Sequence, residues 1–309
     1  MKKILAIILA LMPIGMAAQE EWSQEEFIRR YSNLAGRVGA SGLGVETLLD
    51  RWQAAYPDDD QQYLARFSMF FDRCRTSRVE AMPVDRYLGA EPIIPMTDSL
   101  GNKANWFEVF DYDDELFGEA KLAIDKAIEL QPQRIDYRFY KADALLAYEK
   151  GSPDMTLQNL RSLIDYNCRQ HPAWVHPDLD HMDEERFKAF MQDYCAALCR
   201  LGTSGGTNAF LSLSEHLLQY YKGDVLFMNN IGSYYISQKD FKKAQKQIDE
   251  VLKKEPGNMT ALRNGLLLGR FKKDVKLEKK YLALMAAHGE TELDRNSAAV
   301  RLEAYNNKK

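Results

Sequence analysis

The sequence predicts an all-α fold, a single array of about six helix pairs closed by a C-terminal helix, with one small hairpin-bearing insertion. Three observations carry this prediction. Apolar residues recur three or four apart through successive segments, each bounded by Gly, Pro or Asp, which is the period of an amphipathic helix. Ala120, Ile124, Ala127 and Pro132 have the same spacing as Ala244, Ile248, Val251 and Pro256, so one unit recurs along the chain. Residues 79–112 break the period with Pro83, Pro92 and Pro95 and with runs rich in β-branched and aromatic residues.

Residues 1–18 read as a cleaved leader of bacterial type. Lys2 and Lys3 precede an apolar run from Ile4 to Leu11, and Gly15-Met16-Ala17-Ala18 supplies small residues for cleavage. The run falls well short of the roughly 20 residues that span a bilayer. The expectation is a periplasmic or secreted protein, with residues 19–309 forming one helical-repeat domain and no transmembrane segment after cleavage.

Ser23 to Glu26 resembles a capping sequence for a helix that carries Phe27, Tyr31, Leu34 and Val38. Gly39 to Gly42 ends it. Val45, Leu48, Leu49, Trp52 and Tyr56 mark a second helix, stopped at Pro57 and the acids Asp58 to Asp60. Residues 61–78 are expected as a helix with Tyr63, Leu64, Phe67, Phe70 and Phe71 on its apolar face. The insertion follows, with strand-like runs at Pro92–Met96 and Trp106–Phe110. Phe117–Leu130, Tyr137–Glu149 and a helix marked by Leu157, Leu160, Leu163 and Ile164 resume the period. An irregular segment at 171–183 separates these from Glu184–Leu201 and Phe210–Tyr221, which flank a Gly-rich turn at Thr203 to Gly206. Met259–Arg270 and Val275–Ala287 form the last pair, and Glu292–Tyr305 caps the end.

Between these lies Val225–Asn258. Met228, Ile231, Gly232, Tyr235, Ala244, Ile248 and Pro256 occupy the positions W-x2-L-G-x2-Y, A-x3-F and P of a 34-residue helix-turn-helix unit. Gly232 and Ala244 are small where two antiparallel helices press closest. This stretch resembles a tetratricopeptide repeat. The resemblance implies a right-handed superhelix that binds a peptide or protein in a concave groove lined by the first helix of each pair. The family's groove positions fall on Asn229 and Ser233, and in the next repeat on Arg263 and Asn264. Leu267 stands where the family has a polar residue, which argues against a clamp for a peptide's terminal carboxylate.

The charge balance argues against a nucleic-acid partner: 41 Lys and Arg stand against 45 Asp and Glu. Residues 224–309 carry a net of +6, mostly lysines on second helices, where a solvated face is expected. Four cysteines in an exported chain leave free thiols or one bridge, Cys168 with Cys195 or Cys199, both open. His171, His176 and His181 are spaced in fives around two prolines, unlike any single-face metal pattern, so no metal is expected. Asp111 to Glu115 resembles a calcium loop without its turn glycine and reads instead as a helix cap. No nucleophile elbow or phosphate loop is present, and neither an enzymatic activity nor a cofactor is expected.

The expected function is therefore an exported interaction scaffold for a protein or peptide ligand. The alternative is a carbohydrate or small-ligand binder using Trp106, Phe107, Tyr112 and Trp174 of the two irregular segments. The apolar content of the insertion predicts that it packs over one edge of the groove, with Trp106 at the contact.

Overall fold

The computed structural model describes residues 22–307; the leader expected at residues 1–18 lies outside them. The chain is predominantly helical, with one two-stranded antiparallel sheet. Among the described residues no helix is long and apolar enough to cross a membrane. Two compact units emerge, residues up to Arg73 with Leu116–Leu130, and Cys74–Glu115 with the chain from Gln131 onward.

The first unit holds α1 (Gln24–Val38), α2 (Val45–Ala55), α3 (Asp60–Arg73) and most of α4 (Asp114–Leu130). Ser23 caps α1 by accepting from the Glu26 backbone N–H at 3.3 Å, and Gly39 ends the helix at φ 84°. Phe27, Val45, Leu48, Leu49, Trp52, Ala65 and Met69 are buried together. Trp52 lies at their centre, stacked on Phe27 at 5.8 Å, with its indole N–H donating to Asp59 at 2.8 Å.

In the second unit β1 (Arg75–Met82) pairs antiparallel with β2 (Asn105–Tyr112), Arg75 opposite Tyr112 and Met82 opposite Asn105. Phe107 and Val109 are buried while Trp106 and Glu108 face out, the period-two pattern of a half-buried strand. The sequence placed residues 75–78 at the end of a helix. Arg75-Thr76-Ser77-Arg78 offers no apolar side chain to a helix face, and cross-strand pairing takes it instead.

The remaining helices are α5 (Ile135–Glu149), α6 (Asp154–Gln170), α7 (Glu184–Arg200), α8 (Ser204–Tyr220), α9 (Val225–Ser237), α10 (Phe241–Lys254), α11 (Met259–Lys272), α12 (Val275–His288) and α13 (Glu292–Asn307). They pack as antiparallel pairs, α5 on α6 through α11 on α12, and α13 covers α12. First helices meet first helices, α7 on α9 and α9 on α11, while α6 meets α8. Thr203, Asp224, Asp240, Asn258 and Asp274 each cap the following helix with a side-chain oxygen. Such a cap contributes about 1 kcal/mol.

One boundary differs. The glycines expected in a turn, Gly205 and Gly206, lie inside the first turn of α8. A Cβ on Gly205 would sit 2.6 Å from the Gly151 carbonyl oxygen, and one on Gly206 equally close to that of Leu198. Close approach, not a loop, is why these positions are glycine.

Gly232 faces α10 more loosely: a Cβ there would lie 3.7 Å from Gln247 and Ile248. Gly232→Ala should therefore be neutral or stabilise by up to roughly 1 kcal/mol through backbone entropy. Gly232→Leu should overpack the pair and cost about 1–3 kcal/mol. Equal thermal midpoints for the two variants would contradict this packing.

Candidate functional site

The face built by α5, α7 and α9 carries three adjoining cavities of about 290, 420 and 590 Å³. Helical spacing positions their walls. Phe139, Asp143 and Leu146 follow one another up α5, and Phe190, Tyr194, Ala197 and Arg200 up α7, each set on one stripe. Asn230 and Ser233 of α9 close the far side. Arg200 borders all three cavities.

The insertion supplies the rim. Arg86, Leu88 and Gly89 line the two larger cavities. Gly89 has φ 84°, and a Cβ there would stand 2.6 Å from the Arg200 carbonyl oxygen, so only glycine lets this loop approach the end of α7. Tyr87, its ring 6.0 Å from buried Phe107, ties the same loop to the sheet.

Polar contacts hold the floor. Gln192 and Asn230 exchange two amide hydrogen bonds, at 3.0 and 2.8 Å, and so fasten α7 to α9. The Tyr194 hydroxyl donates to Asp143 at 2.9 Å. Asp143 reaches solvent yet has protein on most sides, as expected in a concavity, and this desolvation raises its pKa against the lowering effect of Tyr194. Burial, then the charge of Asp143, keeps the Tyr194 phenol far above its ordinary range, so it stays a neutral donor.

The residues expected from the sequence are distributed differently. Ser233 borders the largest cavity and accepts from Asn264 at 3.0 Å. Asn229 is buried, its amide donating to Asn258, the cap of α11. Arg263 lies 3.7 Å from Asp294 of α13. Asn229, Arg263 and Asn264 border none of the three cavities. Nor does Trp106, which pairs with Ala81 and bridges Ile94; the rim of the insertion is made by Arg86, Leu88 and Gly89 instead. The principal lining residues, Phe139, Asp143, Phe190 and Arg200, were missed because α5 and α7 carry no repeat motif from which to count groove positions. Their stripe spacing is visible in the sequence, but which stripes face each other is not.

Phe107 and Trp174 are buried, Trp174 with its indole N–H donating to Asn167 at 2.8 Å. Of the aromatics named for a small ligand, Trp106 and Tyr112 remain accessible. His171 ends α6, His176 accepts from the Asp178 backbone, and His181 lies 3.4 Å from Asp183. Among the described residues no three His, Cys, Asp or Glu side chains converge as metal ligands. Asp111 ends β2 and pairs with Lys150, while Asp114 begins α4. All four cysteines are free, and burial pushes the Cys195 thiol up to about 12, which leaves it protonated and unreactive.

No protein-family model matches the chain, and no curated protein matches it.

Proposed function

We propose that the chain is an exported tetratricopeptide-like repeat protein that holds an extended segment of a partner protein along α5, α7 and α9. The observation that supports this reading best is the run of three adjoining cavities on first helices, the two larger of them walled on one side by the loop 86–89. Peptide grooves of helical arrays combine apolar slots with a few polar groups that set register, and Phe139, Phe190, Leu146, Arg200 and the Gln192–Asn230 pair supply both. The leader expected at residues 1–18 and the motif residues of α9 and α10 are consistent with it.

The test is site-specific photo-crosslinking in the cell envelope. A benzoylphenylalanine at Phe190 should give a discrete adduct that is lost with Ala197→Trp, whose ring would fill the slot between α5 and α7. The same probe at Lys246, exposed on α10, should give none. Adducts at Lys246 alone, or equally at both places, would remove the groove from the reading.

A further inference from the structure

The smallest of the three cavities, about 290 Å³ between α5 and α7, has a composition that selects its occupant. Its walls are apolar and flat: the rings of Phe139 and Phe190 stack at 4.7 Å, and Leu146 and Ala197 continue the surface. Two carboxylates, Asp143 and Asp193, open into it from opposite helices. Asp143 accepts from the Tyr194 hydroxyl at 2.9 Å and is otherwise open to the cavity and solvent. Among the described residues neither Asp143 nor Asp193 meets a Lys, Arg or His at ion-pair distance, although Arg200 borders the same space.

We propose that this cavity receives a Lys or Arg side chain of the bound segment, its stem against Phe139 and Phe190 and its cationic head between Asp143 and Asp193. The inference rests on the groove reading above and names what that groove selects. Long basic side chains lay their methylene stems on apolar surface while the head stays polar. A cation beside an aromatic face gains further attraction, and charge-assisted bonds to carboxylates are the stronger kind. An uncharged anchor would fill the slot but gain nothing from the two carboxylates at its mouth.

Panning a random dodecapeptide library on the full chain tests this. Selected peptides should share one Lys or Arg at a fixed position. Replacing it by norleucine, which keeps the stem and removes the charge, should weaken binding about tenfold or more. The same replacement should change nothing for the double variant Asp143→Asn/Asp193→Asn, in which the amide oxygen introduced beside Tyr194 can still accept from its hydroxyl. Should that double variant fold poorly, Asp193→Asn alone serves, since Asp193 is exposed; it should show a smaller norleucine effect than wild type. Norleucine peptides that bind wild type undiminished, or that lose equally on wild type and variant, overturn the proposal while the groove stands. Peptides that fail to compete with crosslinking at Phe190, or no selected peptides at all, remove the groove itself and this inference with it.

Discussion

Gly265→Ala should lower the thermal midpoint by roughly 6–12 °C, an overpacking cost at the upper end of about 1–3 kcal/mol for a body of this size. A Cβ on Gly265 would lie 2.5–2.6 Å from three atoms of the Tyr281 ring. The ring has nowhere to retreat. Tyr281 is fully buried between α11 and α12, and its hydroxyl donates to Asp249 of α10 at 3.0 Å. Relief must then come from moving α11 away from α12, which loosens the cluster that includes Leu262, Leu266, Leu277 and Leu282. Gly232→Ala, one repeat earlier, is the internal control because its Cβ meets ordinary contact distances. Thermal scans that place the two alanine variants within about 2 °C of each other would mean that α11 and α12 are not packed as described.

Trp52→Ala should be more damaging still. Deleting a buried aromatic costs about 3–5 kcal/mol through lost transfer energy and the cavity left behind. Here the indole N–H is also the donor that Asp59 accepts at 2.8 Å, and Asp59 is itself buried. Removing one partner of a buried hydrogen bond adds roughly 1–3 kcal/mol. The core around Trp52 is small, with Phe27, Leu48 and Leu49 as its main apolar neighbours, so little remains to hold α1 and α2. Limited proteolysis should open new sites within residues 24–73, and Trp52→Phe, which keeps the ring against Phe27 but loses the donor, should open fewer. Protection equal to wild type in the alanine variant would show that Trp52 does not organise this core.

The cavities on α5, α7 and α9 were only partly legible from residues alone. Ser233, counted from the motif on α9, borders one of them, because Met228, Gly232 and Tyr235 set the register of that helix. Phe139, Asp143, Phe190 and Arg200 had no such ruler. Trp106 stands out in the sequence for its size and apolarity, yet it is exposed and lines none of the cavities, and the small residue Gly89 makes the close approach to α7.

What the sequence by itself determined is the helical skeleton. Ser23, Asp224, Asp240, Asn258 and Asp274 announce helix starts within three residues of the N–H groups they satisfy, and the stripe of Ala244, Ile248 and Val251 marks a buried face over two turns. These are local effects, written in neighbouring residues. Only the tertiary structure decided that Arg75–Met82 is a strand, that Gly205 and Gly206 sit inside α8, that Phe139 faces Phe190, and that Gly89 meets the end of α7. Each of those outcomes depends on a partner far away in the chain: Tyr112 for Arg75, Gly151 for Gly205, Arg200 for Gly89. Backbone pairing and steric exclusion between distant segments leave no periodic trace in either one, so they become visible only when both are in place.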